Sequence, residues 1–523
     1  MRTLLSGACA AVVAAAGLVS AAPQASAAPP PAAFVPPPVV WGPCTQPALV
    51  KAGAECGTVE APLDYAAPDG EKVRLAVSRV RHTSAEADYQ GPILVNPGGP
   101  GGSGLSMSLL GGRVPDKVGA RYDWIGFDPR GVGDSRPALR CDPGYFGYRR
   151  PAYVPDGWES EAVNRRRAAD YAAACGKAGG SLLRHLKTVD TVRDMETIRR
   201  ALGVEQINYY GFSYGTYLAQ VYATMYPQRI RRMVLDGVVD HRHVWYQANL
   251  NQDVAFERNI RVFFAWIAHN HKVFKLGTKG AAVAKLYNDT REALAKEPAG
   301  GAVGSSEFAD AFLNAGYSQS WWNRTAAAFS RWVHHKDAAA LKGLYDSAVT
   351  VDDDNSYAVY VGVQCTDVQW PADWVTWRKD TWDTHAKAPF YTWANTWFNA
   401  PCLTWPAPPG TPVAVDPAKA PPVLLISEEW DGATPYEGAL EARRIFPNSV
   451  LVSSPEGTTH SSSLRGNACV DNRIADYLRT GALPPRKPGG ESDITCKPAK
   501  KPDASMTALA SDVKDPWEIL PPR

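Results

Sequence analysis

The 523-residue chain has no Cys-x-x-Cys pair, no long run of lysine or arginine, and no apolar stretch beyond its N-terminal segment able to span a bilayer. Each absence removes a class of function. Without Cys-x-x-Cys spacing, the cysteines read as structural staples rather than zinc ligands. With a net charge of only +2 and a pI near 8.0, no basic footprint for nucleic acid exists. Without a later apolar segment, no stable membrane anchor is expected.

What is present points outward from the cell. "MRTLLSGACAAVVAAAGLVSAAPQASA" starts with Arg2, continues apolar and ends on small residues at Ala25–Ala27. That is the pattern of a cleaved signal peptide over residues 1–27, followed by a Pro/Ala-rich leader over 28–40. The chain is expected to be secreted and extracellular. Nine cysteines are present. Removing Cys9 with the signal leaves an even set, which in an exported chain reads as disulfides. Pairing between sequence neighbours is expected: Cys44 with Cys56, Cys141 with Cys175, Cys365 with Cys402, Cys469 with Cys496.

The rest divides by pattern. "VRLAVSRV", "GPILVN", "YDWIGFD", "INYYGF", "IRRMVLD", "PVLLIS" and "SVLVSS" read as strands. "TVRDMETIRRALG" places Val192, Met195, Ile198 and Leu202 on one helical face and stops at Gly203. Strands alternating with helices imply an α/β fold, a mostly parallel sheet covered on both faces. From about 241 to 405 the alternation breaks. That stretch looks helical and holds 12 of the 17 tryptophans. Because sheet-like strands resume after it, it reads as a large inserted helical cap. The expected units are a core first part over 41–240, the cap over 241–405, a core second part over 406–500 and a tail over 501–523.

"GFSYG", Gly211 to Gly215, matches G-x-S-x-G between a strand and a helix. So sharp a reversal strains the serine backbone, and small residues on either side avoid clashes. It pushes the Ser213 hydroxyl out at a helix N-terminus, where negative charge is favoured. A serine needs a base. In this architecture the chain order is Ser, then Asp or Glu, then His. His460, in "SSPEGTTHSSS" after the last long strand, fits the base. Asp431, after the preceding strand, fits the acid that orients the imidazole. Asp236, at the end of "MVLD", is the competitor. Thr434 before Pro435 reads as a helix N-cap that would fix the Asp431 loop. The pairs His241/His243 and His269/His271 lack a third ligand in sequence, and no metal is expected.

Acyl transfer also needs donors for an oxyanion. The Tyr214 N–H is one. The glycine-rich "NPGGPGGSG" offers the other, with Gly99 preferred. That loop lacks the Lys-Ser/Thr of a P-loop and the G-x-G-x-x-G spacing of a dinucleotide site, and no cofactor is expected.

With these parts in place, the chain resembles the secreted tripeptidyl aminopeptidases of actinobacteria, through "NPGGPGGSG", "GFDPRGVGDS", "GFSYGTYLAQVY", "VWYQANLNQDVAFE", "QCTDVQWPADWVTW" and "DGATPYEGA". The resemblance runs from about Trp41 to Cys496. It implies the α/β-hydrolase fold, Ser213, Asp431 and His460 as a triad, and an oxyanion hole at Gly99 and Tyr214. The expected partners are peptides with a free N-terminus, cleaved by a monomer into short products, tripeptides on the family's precedent. An exopeptidase must measure from the chain end, and a buried carboxylate could receive the substrate ammonium. Glu428, Glu429 and Asp367 are the candidates, each against an ordinary structural role. A carboxylesterase or lipase with the same triad, and a catalytically dead binding protein, are the competing functions.

Overall fold

The computed structural model describes residues 34–349 and 354–505. The signal-peptide expectation, the start of the Pro/Ala-rich leader and the end of the tail lie outside the described residues.

Ten strands form one sheet: β1 (Gly42–Pro43), β2 (Glu55–Pro62), β3 (Lys72–Val80), β4 (Pro92–Asn96), β5 (Asp123–Phe127), β6 (Ile207–Phe212), β7 (Ile230–Asp236), β8 (Val423–Glu428), β9 (Ser449–Ser454) and β10 (Ile494–Thr495). Their spatial order is β1-β2-β3-β5-β4-β6-β7-β8-β9-β10. The pairs from β5 through β4, β6, β7, β8 and β9 to β10 are parallel; β1, β2 and β3 add an antiparallel edge. The central strands are buried along their whole length. This explains their near-continuous apolar runs, since helices cover both faces. The seven strands expected from the pattern are all present. β1, β2 and β10 were not foreseen: β1 and β10 are two residues each, and β2 mixes polar residues with Pro62.

The helix over "TVRDMETIRRALG" spans Thr188–Ala201, with Val192, Met195 and Ile198 turned into the core below the sheet. Between β7 and β8 the chain is helical, from Tyr246–His269 to Thr392–Asn399. This block has its own apolar centre, built on Phe256, Phe263, Phe308, Phe312 and Trp322. Aromatic side chains serve it well because each buries a large area and tolerates tilted packing. One stretch placed with the sheet on sequence grounds packs instead against this block. After β5, Arg150 donates to Glu307 (3.0 Å) and Asp310 (2.7 Å), and Tyr171 donates to Asp354 (2.5 Å).

The four disulfides join the expected neighbours. Two clasp the ends of the sheet and two lie in the helical block or its neighbour. Loops of 12 to 37 residues each remove about 3–4 kcal/mol of unfolded-state entropy in the chain-entropy model.

Candidate active site

The parallel strands end at one edge, where the loops after β4, β6, β7, β8 and β9 converge, as ligand sites in open α/β sheets do. Ser213 follows β6 and immediately precedes the helix Tyr214–Met225. Its φ is 53°, a left-handed conformation that costs an L-residue about 1–3 kcal/mol. The surroundings enforce it. Ser213 N donates to Asp236 O (3.0 Å), and a Cβ on Gly211 would lie 2.7 Å from Gly215 O. The strained serine is thus held by the neighbouring strand and by backbone that only glycine lets approach.

The glycine-rich loop after β4 lies against this turn. Asn96 Oδ1 accepts from Gly98 N at 2.9 Å. Gly98 has a φ of 94°, and a Cβ there would stand 2.5 Å from Phe212 O and 2.9 Å from Tyr214 N. Gly99 and Tyr214, the expected oxyanion donors, line one cavity with Ser213 and His460.

His460 sits in the loop after β9, its ring edge-on to Tyr317, whose carbonyl accepts from His460 N at 2.8 Å. Its Nδ1 lies 2.8 Å from Asp431 Oδ2 and 3.0 Å from Oδ1. Asp431 is fully buried and also accepts from Ala433 N, Thr434 N and the Thr434 hydroxyl. Four partners hold this carboxylate in one orientation, which leaves imidazole Nε2 as the free nitrogen. The Ser213 hydroxyl and His460 share the cavity without a direct hydrogen bond. Such contacts are often long without substrate and tighten in the complex.

The structure separates the two competing acids. Asp236 Oδ2 accepts from Ser463 N at 2.8 Å and does not bond the imidazole. Burial pushes its pKa up to about 6. The Thr434 expectation is corrected. The helix Tyr436–Ile445 begins after Pro435, and Thr434 spends its hydroxyl on Asp431 instead of capping. The loop is still pinned, by the carboxylate rather than by the helix.

None of the three acids expected to receive a substrate ammonium lines the cavity. Glu428 is buried behind the His460 loop, where Oε2 accepts from Thr459 N at 2.6 Å; burial raises its pKa to about 7. Together Glu428 and Asp236 grip both ends of the segment that carries His460. Glu429 Oε1 accepts from the Ser453 hydroxyl at 3.0 Å, on the β9 side. Asp367 accepts from Thr188 N, the Thr188 hydroxyl and Trp245 Nε1, and burial raises its pKa to about 6. Its Thr188 partner in turn bonds the Tyr214 hydroxyl at 2.7 Å. Asp367 supports the elbow from beneath. At the end of β8, strand alternation and loop path decide where Glu428 and Glu429 point, and crowding in sequence does not; Asp367 ends the helix Asp354–Asp367, and its packing turns it onto Thr188.

The cavity measures about 560 Å³, within the usual range of about 300–1,000 Å³ for small-ligand sites. Its far wall comes from the helical block and includes Asn249, Tyr360, Gln364, Tyr391 and Asn395. This polar wall was missed from sequence. Its signal was a buried helix, Tyr246–His269, carrying Asn249, Asp253 and Asn259 among apolar neighbours.

Residues 91–466 match the model of the α/β-hydrolase fold family. The chain is 41% identical over 476 residues to the tripeptidyl aminopeptidase of Streptomyces lividans, covering 88% of this chain and 87% of that protein. It is 32% identical over 480 residues to serine protease Hip1 of Mycobacterium tuberculosis, covering 86% and 90%. It is 33% identical over 454 residues to carboxylesterase B of the same organism, covering 83% and 85%. Among solved structures, proline iminopeptidase of Mycobacterium smegmatis aligns with 80% of this chain and 97% of its own at a TM-score of 0.39 and 16% identity.

Proposed function

The chain belongs to the α/β-hydrolase family, as a serine hydrolase of the tripeptidyl aminopeptidase kind, and from that premise we propose that it is a secreted exopeptidase releasing tripeptides from free N-termini. The observation that carries this reading is the buried Asp431–His460 pair opening onto the cavity that holds Ser213.

On this reading Ser213 Oγ attacks the carbonyl three residues from the N-terminus, and His460 Nε2 takes its proton. Asp431 holds the ring with Nδ1–H turned inward and stabilises the imidazolium. The oxyanion rests on the N–H groups of Gly99 and Tyr214. His460 then gives its proton to the departing amine. Water, activated by the same imidazole, hydrolyses the acyl-enzyme and frees Ser213. Four disulfides suit an extracellular enzyme, and no helix among the described residues is long and apolar enough to cross a membrane.

The test is direct. Ser213→Ala should lower peptidase kcat by about 10⁴-fold or more and abolish labelling by a serine-reactive phosphonate. Retained activity would sink the assignment. Mass spectrometry of products from a peptide library should show tripeptides. The named carboxylesterase among the relatives favours one second reading, an esterase using the same triad. An enzyme that turned over simple acyl esters but no free-amino peptides would be that esterase.

A further inference from the structure

Among its described residues, the helical block contains six buried acids: Asp253, Glu257, Glu307, Asp310, Asp354 and Asp367. Five have an ion-pair partner or at least two hydrogen bonds. Glu307 and Asp310 share Arg150, Glu257 holds Arg261 and Phe390 N, and Asp354 and Asp367 each accept several donors. Asp253 differs. It is 1% exposed, makes no ion pair among the described residues, and takes one hydrogen bond, from Asn395 Nδ2 to Oδ1 at 2.9 Å. Burial drives its carboxyl well above the usual range, and no cation opposes that shift.

An uncompensated buried acid is costly, and such groups concentrate where function uses them. This one stands directly behind the polar cavity wall. Its sole partner Asn395 lines the cavity, as does Asn249, one helical turn before it, whose carbonyl accepts from the same Asn395 amide at 3.1 Å. Asn249 Oδ1 also accepts from Asn399 Nδ2 (3.2 Å) and the Tyr360 hydroxyl (3.4 Å). Asn395 Oδ1 accepts from Asn399 Nδ2 at 3.0 Å, which leaves it one lone pair. The cluster therefore places one unpaired carboxyl oxygen beside the half-used Asn395 amide oxygen, on the wall contributed by the helical block. The acids that do touch the cavity suit the task less. Asp240 is tied to Arg242 (2.7 Å) and His243 (3.2 Å), and Glu437 is solvent-exposed.

We infer that Asp253, with Asn395 and Asn249, is the receptor for the α-ammonium of the peptide substrate, and so sets the length of the piece released. This rests on the exopeptidase reading. A primary ammonium has three donors and no acceptor. Two of them match the open Asp253 oxygen and the remaining lone pair of Asn395 Oδ1, Asn249 holds the Asn395 amide in place, and the ammonium supplies the positive charge that Asp253 lacks. An N-acylated or N-terminally extended peptide would bring an uncharged amide to the same wall and leave the acid unpaired, which is how a neutral analogue is rejected.

The test uses the full-length enzyme and three probes: a tripeptidyl aminomethylcoumarin, its N-acetyl derivative, and its analogue with a hydroxyl in place of the terminal amine. The wild type should prefer the free-amino probe over both others by about 100-fold or more in kcat/KM. Asp253→Asn should cut that ratio at least tenfold, chiefly by raising KM on the free-amino probe. Asp253→Glu should restore part of it. If Asp253→Asn fails to fold, Asn395→Ala should shrink the same ratio in protein that still reacts with a phosphonate. An unchanged ratio in a folded variant overturns the assignment of Asp253. A wild type with no preference for the free amine overturns the exopeptidase reading itself.

Discussion

The loops at the carboxyl edge of the sheet and the helical wall facing them across the cavity hold their polar groups by different means. At the sheet edge, the acids near the reacting centre are tied to the loops that place His460. Asp431 has four partners, and Asp236 and Glu428 grip backbone N–H groups on either side of His460. Strand register sets the positions, and close backbone contact sets Ser213. On the wall, polar side chains from three helices meet one another, and Asp253 is left short of partners. A centre that must hold a fixed geometry during proton transfer benefits from an orienting carboxylate saturated by donors, as Asp431 is. A surface that must accept a charged end benefits from an incomplete shell.

The sharpest way to break this contrast is to exchange the two acids nearest His460. Asp431→Asn should lower kcat by about 10⁴-fold, because the imidazole loses its tautomeric partner. Asp236→Asn should cost about tenfold or less, since its carboxyl bonds Ser463 N and not the ring. Equal losses, measured as kcat/KM on the free-amino probe, would erase the distinction between orienting and gripping acids.

The next largest effect lies in the helical block. Arg150 is buried between Glu307 and Asp310. Arg150→Ala would strand two buried carboxylates and should destabilise the block by about 3–5 kcal/mol. Calorimetry should show the transition moving down in temperature, with proteolytic nicking near residues 141–179 appearing first. An unchanged melting profile would show that this stretch is not anchored through Arg150.

A smaller, pH-dependent effect tests the sheet edge. Burial raises the Glu428 pKa to about 7, so folding favours its neutral form. The associated stability is fully present below the ordinary glutamate pKa near 4.3 and is lost as pH rises through about 7. Glu428→Gln keeps an oxygen for Thr459 N–H and removes that loss. Urea unfolding should find the variant more stable than wild type at pH 8, by up to about 3 kcal/mol, and nearly equal to it at pH 4. A variant less stable at pH 8 would mean that the charge itself is needed there. The same substitution should leave the free-amino preference untouched, in contrast to Asp253→Asn.

Much of the sheet edge was legible in the amino-acid sequence. G-x-S-x-G needs its strand and helix, and the seven apolar runs mark strands buried on both faces. Chain order then singles out Asp431 and His460. Thr434 was misread because a Thr-Pro pair before a helix looks like a cap, while its hydroxyl had a nearer carboxylate to satisfy. The misplaced acids have a related explanation. Glu428 ends β8 pointing behind the His460 loop, and Asp367 is turned beneath the elbow onto Thr188. Neither direction is written in local spacing.

The sequence by itself determined the alternating α/β core, the strand–turn–helix around Ser213, the chain order of Ser213, Asp431 and His460 and the neighbouring cysteine pairs. All of these depend on short-range stereochemistry, or on periodicity within one element. Only the tertiary structure decided which acids face the cavity, that residues 141–179 pack on the helical block, and that Asn249, Asp253, Tyr360 and Asn395 meet on one wall. Those residues come from three helices, the first more than a hundred positions before the other two, and their partners are chosen by how the helices pack, a property that no local pattern encodes.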